Sequence, residues 1–519
     1  MPSIFGTPFH LGGHPKAVIL EAVILEAVIQ RRFQRLREQL FLESSPISLF
    51  LTFPVLREVL IRYLAVIDGE HYPPVTEAAL RELEQRGHEI LAAVLVGGKE
   101  KLAAEGLDVL GSIPVKSGGD PREVLDRALL DHAVDAVIDL SDEPVLDYRR
   151  RHELAALSLY RGVPYEGADF LFRPPPRPRI ATKPSLAIVG TGKRTGKTAV
   201  AGFAARTLHE AGRSPVIVAM GRGGPPEPVV LRGDEVSLTP QDLMELADSG
   251  AHAASDYVED ALLGRVPTVG CRRCGGGLAG GVEISNVPEG VRKANDLPGD
   301  LLLLEGSGSA VPPVHADVTS LVVPASIRQE YVRGYFGPYR LLLADFVFVT
   351  MAEHPFASPT RVEELISALR SAFRPESHRD QKRDRKGELQ VVRTVFRPTP
   401  TRAVAGADAY VATTAPEVVA PTLRRHLEER YQCKVVGISH ALGDRGRLRA
   451  DLNEASGRMQ VLLCEIKAAG IDVATRWALS EGVEVVYMDN VPEGVNGDDP
   501  TEQILSAAAL ADERYKEGK

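Results

Sequence analysis

A short apolar run, Ser185–Val189, leads into Gly190-Thr-Gly-Lys-Arg-Thr-Gly-Lys-Thr198, and a helical pattern, Ala199–Ala211, follows at once. Strand, glycine loop and helix in that order form the context that a phosphate cradle requires. The glycines let backbone N–H groups converge on phosphate oxygens, and the helix N-terminus adds partial positive charge. Such a segment must sit at the carboxyl end of a buried strand in an α/β sheet. Gly190, Thr191, Gly192, Lys193, Arg194, Thr195, Gly196, Lys197 and Thr198 are therefore the expected nucleotide-binding set, with ATP and Mg²⁺ as cofactors. Lys197 is placed to reach the outer phosphates, and the Thr198 hydroxyl to ligate Mg²⁺.

The spacing departs from the standard phosphate-loop pattern, which wants a glycine where Thr191 stands. The GT-x4-GKT arrangement instead resembles dethiobiotin synthetase and the cobyrinic acid amidases, a branch that activates small acids with ATP. A second metal-site element should be an acid after an apolar strand. Leu301–Leu304 followed by Glu305-Gly-Ser-Gly308 fits, so Glu305 is the expected second Mg²⁺ ligand beside Thr198. The strand Pro215–Ala219 ends in Met220-Gly-Arg-Gly-Gly-Pro225, whose Arg222 is placed to face substrate phosphates.

With 519 residues the chain is too long for one ordinary core. Residues 1–61 carry the repeat AVILE-AVILE-AVI and are expected to be a non-native or weakly helical extension, dispensable for the fold. Arg62–Asp68 reads as a buried strand, and strand–helix alternation continues to residue 171. Residues 172–184 are proline-rich and read as an extended linker. The P-loop domain is expected over 185–373, a charged solvated loop over 374–389, and further strands and helices over 390–519. These last could extend the same sheet or form a third lobe. The fold class is thus α/β: an N-terminal Rossmann-like parallel-sheet domain, then a P-loop NTPase domain of the dethiobiotin-synthetase-like branch.

A net charge of −9 disfavours nucleic acid as a partner. Four cysteines exclude a disulfide scaffold. The apolar stretch Ala17–Ile29 carries Glu21 and Glu26 and lacks a cleavage site, and Leu49–Ile67 is broken by Pro54, Arg57, Glu58 and Arg62. A cytoplasmic protein without a membrane partner is expected, with a homodimer left open.

Other candidates are weaker. Asp68, Glu70, His71, Gly97, Gly98 and Asp142 fall at strand ends of the first domain, where α/β sheets bind ligands. Cys271 and Cys274 form a lone CxxC, short of the four ligands of structural zinc. Arg272 and Arg273 between them suit an anion or a solvated loop equally. Arg328, Arg333 and Arg340 are each as well explained by ordinary ion pairs. Lys467, after the strand Val461–Glu465, is a candidate phosphate ligand, though a surface lysine is the common reading.

Taken together, Asp68-Gly-Glu-His-Tyr-Pro-Pro74, GTGKRTGKT and Glu305-Gly-Ser-Gly-Ser-Ala-Val-Pro-Pro313 resemble the cyclic 2,3-diphosphoglycerate synthetase family, from about Arg62 onward. The resemblance implies ATP-driven closure of 2,3-diphosphoglycerate to its cyclic phosphoanhydride, with ADP and phosphate released. A strongly anionic substrate beside ATP needs cations. Lys193, Arg194, Lys197 and Arg222 are expected to serve catalysis, and Arg272, Arg273 and Lys467, with Asp68, Glu70 and His71, substrate binding. Two rival readings are a carboxylate-activating amide ligase, which shares the loop spacing, and a regulatory ATPase. A separate α/β domain argues for a substrate and against the second.

Overall fold

The polarity of the sheets decides where ligands can sit. The structure, a computed structural model, describes residues 60–98, 108–250, 253, 255–372 and 389–518. The extension 1–59 and most of the charged stretch 374–389 lie outside them. Residues Leu60–Lys519 form one compact unit. No helix among the described residues is long and apolar enough to cross a membrane.

The first sheet has seven strands: β1 (Arg62–Ile67), β2 (Glu89–Leu95), β3 (Val109–Leu110), β4 (Ile113–Lys116), β5 (Ala136–Asp139), β6 (Tyr165–Glu166) and β7 (Leu171–Phe172). Their order is β3-β4-β2-β1-β5-β6-β7. The five central strands are parallel, and β3 and β7 close the edges antiparallel. The chain therefore switches direction of winding between β1 and β5, the place where open α/β sheets form a crevice. Asp68 closes that crevice. It is 3% exposed and accepts from the backbone N–H groups of Glu70 (2.9 Å), His71 (3.1 Å) and Asp142 (2.6 Å). Next to it, a Cβ on Gly69 would lie 1.4 Å from the Gly98 carbonyl oxygen, so only glycine fits.

The second sheet has thirteen strands. Its first part comprises β8 (Ser185–Gly190), β9 (Pro215–Gly221), β10 (Val229–Arg232), β11 (Pro267–Gly276), β12 (Val282–Ser285), β13 (Leu301–Glu305), β14 (Val318–Pro324) and β15 (Phe346–Thr350). It continues through β16 (Gln390–Pro400), β17 (Asp408–Ala412), β18 (Lys434–Ser439), β19 (Val461–Glu465) and β20 (Glu484–Gly494). The order is β10-β11-β9-β13-β8-β14-β15-β16-β20-β19-β17-β18, with β12 on β11. The C-terminal strands thus extend the P-loop sheet. β8 is buried along its whole length, which explains its unbroken apolar sequence.

β16 sets the geometry. Gln390–Arg393 pair parallel with Phe346–Val349 of β15, whereas Thr394–Pro400 pair antiparallel with Met488–Gly494 of β20. β19, β17 and β18 run parallel to β20. The C-terminal strands therefore point opposite to the P-loop strands, and the two sets of carboxyl ends face each other.

The proline-rich segment is held down along its course and is not a free spacer. The Thr182 N–H donates to Asn295 Oδ1 (3.0 Å), Asn295 Nδ2 to the Ile180 carbonyl (2.9 Å) and Lys183 Nζ to the Leu297 carbonyl (2.5 Å). The sequence pattern anticipates extension but not these partners, which come from a distant helix.

The Asp68 tie yields a stability prediction. Asp68→Ala leaves three part-buried backbone donors without their acceptor and should cost about 1–3 kcal/mol in denaturant unfolding. An unchanged midpoint would contradict the role.

Candidate functional site

The phosphate loop is built as the sequence requires. Gly196 precedes the helix Lys197–Glu210 with φ 90°, and a Cβ there would lie 2.2 Å from the ring of Phe396. Glycine is thus required twice, for backbone sign and for space. The Thr191 N–H donates to the Val322 carbonyl (3.2 Å), and Thr350 Oγ1 donates to the Thr195 carbonyl (2.8 Å), so β14 and β15 hold the loop at both ends. Lys197 Nζ donates to the Gly192 carbonyl (2.8 Å).

Thr198 Oγ1 donates to Glu305 Oε1 at 2.7 Å. The sequence pairs these two residues across 107 positions, and the structure brings them together. Glu305 is 2% exposed. Beside it lie acids that the sequence reading missed. The helix Asp256–Gly264 carries Asp256, Glu259 and Asp260, spaced to share one face. Asp260 is 1% exposed, and its carboxyl faces that of Glu305, where a single proton would join the two. Burial, then the charge of Asp256, pushes the Glu305 carboxyl up to about 8. Burial first, then Glu305, raises Asp260 well above the carboxylate range. Lys197 is lowered by burial although Glu305 opposes the shift. Desolvation outweighs mutual attraction here.

Above this acidic floor stand cations. A Cβ on Gly308 would lie 2.5 Å from Arg222 Nη2 and 3.2 Å from Arg273 Nη2, so the two guanidinium groups converge on the Glu305–Ala310 loop. Arg273 also donates to the Ser307 carbonyl (2.8 Å). Burial, then Arg222, lowers its pKa. Among the described residues neither arginine has a carboxylate partner, nor do Lys193 and Arg194, which are exposed at the loop.

Several expected residues lie elsewhere. Strand alternation turns Arg272 to the other side from Arg273. Its side chain is exposed; neither arginine lines the cavity itself, but Arg273 reaches Gly308 and Ser307, which do. Lys467 lines the cavity, but its ammonium is engaged by Glu259 at 2.8 and 3.1 Å. Asp68, Glu70 and His71 remain with Asp142 at the carboxyl ends of β1 and β5 and do not line this cavity. His71 Nδ1 lies 2.8 Å from Asp68 Oδ1 and its Nε2 3.4 Å from Asp142 Oδ2. Arg340 is buried on the carbonyls of Ser309, Phe336 and Leu278, and Arg328 meets Glu330 and Tyr331. Cys271 is buried and Cys274 exposed, and both are free. Among the described residues no three His, Cys, Asp or Glu side chains are gathered as a metal cage.

The opposed carboxyl ends enclose a cavity of about 1070 Å³. The P-loop, Arg222, Asp256 and Glu305 line one side, and Thr413, Thr414, Glu465 and Asp489 the other. Glu465 ends the run VLLCE as Glu305 ends LLLLE. It likewise accepts from hydroxyls, those of Thr413 and Thr414. That repeated pattern is a signal the sequence offers.

Three family profiles match in order along the chain: the N-terminal domain of cyclic 2,3-diphosphoglycerate synthetase over residues 62–173, its P-loop domain over 185–377 and its C-terminal domain over 400–491. The chain belongs to the cyclic 2,3-diphosphoglycerate synthetase family. A synthetase of that name from Rubrobacter xylanophilus is 48% identical over 440 residues, covering 84% of this chain and 96% of the relative. One from Methanothermobacter thermautotrophicus is 43% identical over 462 residues, covering 86% and 97%. Among solved structures, LpxK from Aquifex aeolicus in complex with ATP overlaps at 12% identity and a TM-score of 0.36, covering 64% of this chain and 90% of that one.

Lys197→Ala should reduce turnover by at least ~10²-fold, the scale for removing one strong electrostatic stabiliser. Circular dichroism should show the fold retained. Near-normal turnover in a folded variant would contradict the phosphate-loop role.

Proposed function

We propose that this member of the family closes 2,3-diphosphoglycerate into its cyclic phosphoanhydride, with ATP converted to ADP and phosphate. Family membership supports the reaction. The single structural observation that carries it is the convergence, in one cavity, of a phosphate loop, the cations Lys193, Arg194 and Arg222, and the buried Glu305 that meets Thr198. A cyclic phosphoanhydride is uphill from its linear precursor, so a nucleotide must drive its formation.

The residues fit Mg²⁺. The Thr198 hydroxyl and Glu305 would hold it, with the Asp260 carboxyl beside Glu305; one or two carboxylates with substrate phosphates is how this ion is commonly bound. When bound, the ion would offset charge on the phosphate oxygens. We place the protein in the cytoplasm, where ATP is available. We assign the P-loop domain to the dethiobiotin-synthetase-like branch on its GT-x4-GKT spacing. The first domain we read as Rossmann-like on the order of its parallel strands.

The path we propose has two in-line displacements. One substrate phosphate attacks the γ-phosphorus of ATP, ADP leaves, and a linear pyrophosphoryl compound forms. The neighbouring phosphate then attacks the inner phosphorus, closes the ring and expels the terminal phosphate. The protein's task is positioning and charge neutralisation. Lys193 and Lys197 serve the first step at the loop. Arg194 and Arg222 hold the second phosphate close, and Arg273 joins Arg222 over Gly308. We draw substrate contacts from these residues and not from Asp68, Glu70, His71, Arg272 or Lys467, which are committed elsewhere or lie outside the cavity.

The pair on β11 tests the substrate side. Arg273→Ala should raise the KM for 2,3-diphosphoglycerate about 10-fold or more, as expected for losing a charged hydrogen bond, with Arg272→Ala near wild type. Equal effects would contradict the assignment. With γ-³²P-labelled ATP, the cyclic product should form unlabelled and the label should appear in free phosphate. Label retained in the ring, or ATP consumed without cyclic product, would overturn the reading.

A further inference from the structure

The cavity is not uniform, and its uneven lining assigns a second part of the ligand. β8 lies between β13 and β14. Glu305 ends β13 and takes the Thr198 hydroxyl, so the outer phosphates and their counter-charge belong on the β13 side. The rest of a nucleotide bound at the loop must leave toward β14, β15 and β16. On that side Met351, Phe356, Phe396 and Pro398 supply an apolar wall, with His354 and His426 also in the lining. The charged pair there, Arg397 and Glu353, is closed on itself by two bonds of 2.5 and 2.8 Å.

Two features mark the place as more than a gap. Phe396 is packed onto Gly196, where the loop becomes helix, yet it is only half-buried. Phe396 and Pro398, two apart on β16, share one face of the strand. Met351, the first residue after β15, has φ 55°, an unusual conformation for a side chain of its size. The neighbouring backbone fixes it there: the Ala352 N–H donates to the Thr394 carbonyl (3.0 Å), and the Ala325 N–H to the Thr350 carbonyl (2.8 Å). Backbone strain of this kind persists where surrounding structure imposes it, often at ligand sites.

We infer that Phe396, with Met351, Phe356 and Pro398, forms the subsite for the purine base of the nucleotide. A flat heteroaromatic ring has the π-face that a half-exposed phenyl group can stack on. A phosphorylated glycerate has no apolar face and belongs at the charged end. The inference rests on the proposed use of ATP and adds that the chain recognises the base as well as the phosphates. Inorganic tripolyphosphate, which lacks the base, should bind the loop without using this wall.

Titration calorimetry on the full chain separates the two contributions. Phe396→Ala should weaken ADP about 10-fold or more, the scale of one lost base–aromatic stack, while tripolyphosphate affinity stays within about twofold of wild type. Phe396→Trp should keep ADP affinity. If the alanine variant does not fold, Phe396→Leu keeps the bulk without the π-face and should show the same selective loss. Unchanged ADP affinity would overturn the inference. So would a parallel loss for ADP and tripolyphosphate, which would mark Phe396 as a support of the loop alone. The readout needs no cyclisation, so failure of the proposed reaction would leave it interpretable.

Discussion

The change of partner halfway along β16 is the constraint on which the site depends. One strand hydrogen-bonds parallel to β15 through Arg393 and antiparallel to β20 from Thr394. The register places Val349, near the end of β15, against Arg393. It places Glu465, at the end of β19, against Met488, which pairs with Pro400. The stretch from Arg393 to Pro400 spans roughly 20 Å at the usual rise of a strand. That distance separates two rows of carboxyl ends that face each other, each a natural ligand-binding edge. Ion pairs link the two halves beside the gap: Asp489 with Arg206, and Lys467 with Glu259. In each pair the carboxylate is the more buried partner, so removing its cation leaves a poorly solvated charge, and these contacts resist opening of the cavity.

The charges inside follow from that enclosure. In water Lys197 and Glu305 would each gain from the other's charge. Here burial pulls the ammonium down and pushes the carboxyl up despite their attraction. Asp256 adds negative charge to the same floor, while burial beside Glu305 holds the Asp260 carboxyl in its neutral form. The cations stand apart on glycine-rich segments at Lys193, Arg194, Arg222 and Arg273. Acids below and cations above are separated as the parts of a metal-bound polyphosphate would require. The protein thereby holds electrostatic groups in place before the reactants arrive, which is where most of the barrier reduction in phosphoryl transfer comes from.

The sequence shows the parts of this site that are local. The phosphate loop is legible because strand, glycines and helix are contiguous. Glu305 is legible because a four-leucine strand ends on it. Arg222 is legible because it interrupts a glycine turn. What escapes depends on contacts between distant segments. Asp256, Glu259 and Asp260 read as an ordinary acidic helix face until Glu305 lies against Asp260. Arg272 and Arg273 look equivalent until strand alternation sends them to different sides. Asp68 looks available until Asp142 donates to it from another loop. The opposed polarity of the C-terminal strands turns on a mid-strand change of partner that leaves no mark in the composition of β16.

The central claim is that the cavity passes the γ-phosphoryl group directly from ATP to the substrate. Oxygen tracing tests it. With ¹⁸O in the phosphoryl oxygens of 2,3-diphosphoglycerate, the attacking oxygen first bridges to the γ-phosphorus and then leaves with it. Phosphorus NMR should therefore show released phosphate carrying one ¹⁸O from the substrate. Phosphate whose new oxygen comes from water would contradict direct transfer and the account built on it.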